Sequence, residues 1–231
     1  MTIYELQQQK RSLFALKHFL PPLSNGDHLT LTEFERRYEA RPDIKKAELI
    51  EGVVYVASPV SLLHAEIHAN IMTVLSYYRA QTPGVRFADN VSLVLDADNE
   101  VQPDVCMWRD REEMRPTARN YLSGVPELVV EVAVSSAAYD LYEKKHVYRR
   151  NGVQEYLLLL AQERELQWLS LHEGSYVALE ADAAGVIRSQ VFPGLALSPA
   201  LFWANEFAKL LTLLQTEMTT PAYEAFRQRA S

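Results

Sequence analysis

Apolar residues at Leu63, Ile67, Ile71, Val74 and Tyr78 recur every three or four positions, which puts one apolar stripe on a helix of about five turns. Such a stripe needs a surface to bury it, so the helix is expected to cover one face of a sheet. From Val85 to Trp108 the pattern shifts to short β-rich runs, broken by the turn segments ADN and DADNE. PELVVEVAV follows as the most apolar strand of the chain and marks the expected centre of the sheet. DLYEKKHVYRRN then reads as a helix, capped by Ser135 and Ser136 and stopped by Gly152. VQEYLLLL is the next strand, ELQWLSLHEG and SYVALE form a hairpin, FPGLALSP is an irregular return, and ALFWANEFAKLLTLLQ is an amphipathic closing helix.

Ahead of the long helix, AELIEGVVYVAS reads as a hairpin turning at Glu51 and Gly52, and Thr32 followed by Glu35 has capping-box spacing for a short helix. Residues 1–27 contain a helical stretch and then the breaker PPLSNGD, which predicts an N-terminal helical arm ahead of a main domain over 28–205. Residues 206–231 are expected to form a C-terminal helical extension packed on that domain. The element order predicts an α/β fold of mixed α+β type, a central mixed β-sheet flanked by helices. Regular Rossmann-like alternation and internal repeats are absent.

Composition narrows the classes of function. With 48% hydrophobic and 23% charged residues in 231, the chain is an ordinary globular protein with enough apolar mass for a filled core. The sequence offers no apolar run of membrane-spanning length, and its polar N-terminus does not resemble a secretory signal, so a cytoplasmic location is expected. Cys106 is the single cysteine and cannot form an internal disulfide or a multi-cysteine zinc site. A formal net charge of -7 repels a phosphate backbone on average, so nucleic-acid binding requires a locally basic face or a bridging divalent cation.

Three residues interrupt the expected patterns. Glu131 sits in the middle of LVVEVAV, on the strand face shared with Val129, Ala133 and Ser135. Its bland reading is a residue solvating a half-exposed face; its functional reading is a buried carboxylate compensated by a cation. Asp104 follows Pro103 in VQPDVCMW, where the bland reading is a turn aspartate. If that run pairs with the Glu131 strand, the two carboxylates meet, and with the backbone carbonyl of Val132 they offer the oxygen ligands that magnesium prefers. Lys144 lies on the following helix, four residues after Asp140, where the bland reading is an ordinary helix ion pair, with Lys145 as an alternative amine. His146, Arg149 and Arg150 continue a basic strip able to contact backbone phosphates.

In this order, ELIEG, a Ser-Pro break with His64, QPD, PELVVEV, DLYEKKHVY, NGVQEY and FPGL resemble the Uma-type family of restriction endonucleases, within the PD-(D/E)XK nuclease superfamily. The resemblance runs from about Leu29 to Phe202, and the ordered set is far more specific than any single motif. It implies a restriction-endonuclease-like fold and a site holding Mg2+ or Mn2+ for phosphodiester hydrolysis. Carried across by position, the Pro-Asp element falls on Pro103 and Asp104, and the second acid on Glu131. The superfamily lysine would fall at Ala133, so the amine is expected to have moved to Lys144. Glu48 of ELIEG matches an early acid that could add a ligand or contact a metal-bound water, and His64 matches a family histidine without an evident role. Two departures are Val134-Ser135-Ser136 in place of a Ser-Pro-Ser turn and Leu157 in place of a tryptophan after Tyr156.

The resulting expectation is a homodimeric, metal-dependent endonuclease acting on DNA, because cutting both strands calls for two sites. The rivals are a nuclease-fold module for binding or dimerisation with a decayed site, and a zinc hydrolase built on His64 and His68. In HAEIH, however, Glu66 lies two residues from each histidine and points away from both, unlike the glutamate of a zincin. No G-x-S-x-G elbow or phosphate-cradling glycine loop is present.

Overall fold

The computed structural model describes residues 20–134 and 139–230, with the backbone alone at 139–141 and 230. Most of the proposed N-terminal helical arm and the capping residues Ser135 and Ser136 lie outside the described residues. In chain order the elements begin with α1 (Leu31–Glu39), β1 (Ala47–Ile50), β2 (Val53–Val56), α2 (Leu62–Gln81), β3 (Val85–Asp89), β4 (Leu93–Asp96), β5 (Asn99–Val101) and β6 (Val105–Arg109). There follow β7 (Arg115–Pro116), β8 (Leu122–Ser123), β9 (Leu128–Ala133), α3 (Tyr139–Asn151), β10 (Glu155–Leu160), β11 (Glu165–His172) and β12 (Ser175–Ala178). The chain ends with β13 (Ile187–Arg188), β14 (Ala196–Leu197), α4 (Pro199–Trp203), α5 (Phe207–Glu217) and α6 (Pro221–Ala230). These elements divide between two compact units, one of Met1–Ser58 with Asp96–Val101 and one of Pro59–Leu95 with Gln102–Ser231.

In the smaller unit, β1 and β2 form the expected hairpin, with Ala47 opposite Val56 and Ile50 opposite Val53. The two turn residues both have left-handed backbones, Glu51 at φ 51° and Gly52 at φ 75°, as a two-residue type I′ turn requires. Helix α1 starts two residues earlier than the Thr32 cap predicts: Thr30 is the N-cap and accepts from the Glu33 amide. Thr30 and Glu33 carry the same T-x-x-E spacing, and the earlier start lets Phe34 enter a small core with Leu23, Ala47, Leu49 and Val54.

The larger unit is organised by a six-stranded sheet in the order β12-β11-β10-β9-β6-β3. Only β9 and β10 are parallel within it, and parallel neighbours need a crossover, which α3 supplies. One face of β9, through Leu128, Val130 and Val132, joins a core with Ile67, Ile71, Val74, Leu75 and Tyr78 of α2. Burying five such side chains at roughly 1.5–3 kcal/mol each holds α2 firmly against the sheet. The other face of β9 is buried as well, so Glu131 sits 4% exposed rather than solvating an open face. Helix α3 ends as expected at Gly152, whose φ of 86° allows the Val153 amide to return to the Tyr148 carbonyl. The closing helix is broken into α4 and α5, because Asn205 takes a left-handed backbone at φ 57° that a continuous helix cannot hold. Among the described residues no helix is long and apolar enough to cross a membrane.

Candidate active site

The antiparallel register of β6 against β9 pairs Met107 with Leu128, Cys106 with Val129 and Val105 with Val130. One step further along this register sets Asp104 opposite Glu131. The ladder ends there: instead of backbone pairing, Asp104 Oδ2 accepts the Val132 amide at 2.7 Å. Its own carbonyl accepts from the Asn90 amide at 3.2 Å and meets His68 Nε2 at 3.1 Å. Pro103 precedes it and has no amide to continue the ladder, which fits a strand that begins only at Val105. Asp104 is therefore held at its backbone and at one carboxylate oxygen, and it is 3% exposed.

Glu131 projects from the opposite face of β9 to the α2 core, towards α3. Lys144 Nζ donates to its Oε1 at 2.9 Å, and the Tyr148 hydroxyl donates to the same oxygen at 2.7 Å. Lys144 and Tyr148 are four residues apart, so one face of α3 delivers both donors. Lys144 makes this contact rather than Lys145, which is half-buried on the neighbouring face. Ala133 stands at the β9 position where the resemblance would set a lysine, and the ammonium bonded to Glu131 comes from α3. Behind Tyr148 its ring packs on Tyr156 with centroids 5.5 Å apart, and Tyr156 packs on Tyr176 at 6.1 Å. The Tyr156 hydroxyl is buried and has no hydrogen-bond partner among the described residues. Burial pushes its ionisation far up, and the charge of Glu131 acts in the same direction.

On the other side of Asp104, His64 Nε2 lies 3.4 Å from Oδ1. Ser61 caps α2 by accepting the His64 amide, and the turn that follows carries His64 and His68 to the same residue. The sequence signalled the two histidines by their spacing but not their common partner. Tyr148 went unnoticed, although its position one turn after Lys144 could have marked it. Of the other sequence candidates, Glu48 lies on β1 in the smaller unit and is buried. His146 and Arg150 are exposed on α3, and Arg149 is half-buried, donating to the Gly174 carbonyl at 2.7 Å and to His146 Nδ1 at 3.3 Å.

A family model described as "Putative restriction endonuclease", Uma2, matches residues 31–200, most of the chain. The chain belongs to the Uma2 family. A crystal structure from Anabaena variabilis ATCC 29413, titled a putative nuclease belonging to DUF820, superposes with a TM-score of 0.60 at 17% identity, covering 76% of this chain and 98% of that one. The likeness shows a shared fold, in agreement with the mixed α/β architecture. No curated protein matches the chain.

Restriction-endonuclease-like families such as Uma2 generally use divalent metals, and the carboxylates of Asp104 and Glu131 are donors that fit a hard cation. Among the described residues both hydrogen bonds to the Glu131 carboxylate converge on Oε1, so Oε2 carries neither; Asp104 Oδ1 faces the same side as His64. Buried carboxylates on neighbouring strands repel one another, and a cation between them removes that repulsion. Among the described residues no group of three or more His, Cys, Asp or Glu side chains is placed to hold a metal. His64 and His68 both turn to Asp104, their rings 6.2 Å apart, rather than converging as zinc ligands.

Proposed function

We propose that this Uma2 protein is a divalent-metal-dependent endonuclease that hydrolyses DNA phosphodiester bonds. The observation that carries the reading is the meeting of Asp104, Glu131 and Lys144: two buried acids at the β6–β9 junction, with an ammonium bonded to one of them. Asp104 Oδ1, Glu131 Oε2 and the Val132 carbonyl would hold Mg2+ or Mn2+. When bound, that ion supplies a polarised phosphate and a water of lowered pKa.

The residues of the chain do the positioning. The Val132 amide fixes the Asp104 carboxylate, and Tyr148 fixes Glu131 from the far side. Lys144, anchored on Glu131, brings a positive charge that would stabilise the negative charge developing on a phosphate oxygen. His64, beside Asp104, borders the space a scissile phosphate would enter. His146, Arg149 and Arg150 give this acidic protein a local strip for backbone phosphates further along the strand. Two such chains acting as a homodimer would cut both strands.

Incubation of supercoiled, linear and single-stranded DNA with the purified protein and Mg2+ or Mn2+ tests this reading. Wild type is expected to cut at least one form, and Asp104→Asn or Glu131→Gln to reduce cleavage by 10²-fold or more, on the order expected when a group stabilising transition-state charge is lost. A folded wild-type protein inert on every form with both metals would leave a nuclease-fold binding or dimerisation module instead.

A further inference from the structure

A cavity of about 350 Å³ opens in the larger unit at the end of the sheet away from Asp104 and Glu131. Arg109, Arg229, Gln154, Gln190 and Phe226 are among its lining residues, and none of the described residues lining it is acidic. Arg109 ends β6, five residues beyond Asp104, or about 16 Å along a strand. This cavity is therefore separate from the acidic pair.

The donors around it are held by neighbouring groups. Glu127, 1% exposed, accepts Arg109 Nε at 2.8 Å and pairs with Arg111 Nη2 at 2.7 Å. That contact fixes the plane of the Arg109 guanidinium, and neither of its Nη groups carries a hydrogen bond among the described residues. Arg229 likewise spends only Nε, on the Ala225 carbonyl at 3.1 Å. Gln190 accepts from the Ser170 hydroxyl at 3.2 Å through Oε1, so its amide nitrogen is the end left to donate. The acids behind the wall are already engaged: Glu127 by the two arginines, and Glu155 by the Gln190 and Val191 amides, Ser189 and Trp168. Two guanidiniums lining one cavity repel each other unless an anion lies between them. Val191 and Phe226 add an apolar wall, and the volume is at the lower end of small-ligand pockets, which run from roughly 300 Å³.

We infer that this cavity is a phosphate-binding site distinct from the proposed nuclease centre, taking a phosphate group through Arg109, Arg229 and the Gln190 amide. The group belongs either to a free phosphate or nucleotide or to a nucleic-acid strand. Planar guanidiniums suit the paired oxygens of phosphate better than they suit a monatomic anion.

Calorimetric titration of the full chain in EDTA, at constant ionic strength, tests the site without metal at the acidic pair. The probes are inorganic phosphate, pyrophosphate and a short single-stranded oligonucleotide. Wild type is expected to bind at least one of them saturably, Arg229→Glu to weaken that binding by tenfold or more, and Arg227→Glu to leave it unchanged. The control makes the same charge change on the same helix, at an exposed residue outside the cavity. Asp104→Asn is expected to bind as wild type does, which separates this site from the nuclease reading. Binding of phosphate or pyrophosphate identifies a free ligand; binding of the oligonucleotide alone identifies a strand. Circular dichroism checks the fold of each variant, and Arg229→Gln replaces Arg229→Glu if the latter unfolds. No saturable binding of any probe, or equal weakening by Arg227→Glu, overturns the inference.

Discussion

Tyr148 donates its hydroxyl hydrogen to Glu131 Oε1 at 2.7 Å, across the space between α3 and β9. Both residues are buried, so the bond forms out of water and acts on a charged acceptor. Hydrogen bonds to charged groups contribute about 1.5–3 kcal/mol, and Tyr148→Phe is expected to lower folding stability by that amount. Urea unfolding measures it, and a change below about 0.5 kcal/mol would mean the hydroxyl is incidental. If Glu131 binds metal, the same variant should also weaken Mg2+ binding, because its carboxylate would then be fixed by Lys144 alone.

Lys144 and Glu131 form a buried ion pair at 2.9 Å. Removing one partner of such a pair strands the other charge and typically costs about 3–5 kcal/mol. Lys144→Met should therefore destabilise strongly. Adding Glu131→Gln to it should restore part of the loss, since the stranded charge is gone. A double-mutant cycle by denaturant unfolding reads the coupling; strictly additive effects would show that the two groups do not act as a pair.

The acids were legible in the sequence and the tyrosine was not, for a physical reason. A strand that alternates with period two exposes a misplaced polar residue at once, so Glu131 stood out among valines, and Asp104 followed once its run was read as a neighbouring strand. Tyr148 is an aromatic on a buried helix face, set apart from core in the sequence only by its position one turn after Lys144, and its partner lies 17 residues back on another element. The break at Asn205 was hidden for a similar reason. Apolar periodicity runs straight through it, and only the left-handed backbone ends the helix. The T-x-x-E spacing occurs twice near α1, and burial of Phe34, a tertiary fact, selects the first. Strands β7 and β8, two residues each, are too short to show any period.

On α1, Arg36 and then Arg37 hold the Glu33 carboxyl at about 2, well below the usual carboxylate range. A depressed value means the folded state favours the ionised form. Its stabilising effect is present above about 4.5, the ordinary value, and is lost as pH falls through about 2. The pair is partly exposed, so solvent screens it and the effect is small. Glu33→Gln should lower the unfolding midpoint by a constant amount above pH 5, and the gap to wild type should close progressively as pH drops below about 4.5. A gap that stays constant down to pH 3 would show that the arginines do not stabilise the carboxylate.

Asp104 has two oxygens with separate tasks, which lets two substitutions divide structure from metal binding. Oδ2 accepts the buried Val132 amide, while Oδ1 faces His64 and the proposed metal position. Asp104→Asn can keep its amide oxygen on the Val132 N–H, so it should fold almost as wild type does. Asp104→Ala leaves that amide without a partner and should cost about 1–3 kcal/mol more. Metal separates the two roles further. A ligand bound only by the folded state stabilises it by about 2.7 kcal/mol at a hundred times its dissociation constant, so saturating Mg2+ should raise the thermal midpoint of wild type. With its amide oxygen kept on Val132, Asp104→Asn turns an uncharged NH2 donor towards the metal position and should abolish that rise while keeping the metal-free midpoint. Should Mg2+ stabilise the asparagine variant as much as wild type, the cation binds elsewhere, and the pairing of Asp104 with Glu131 needs another explanation.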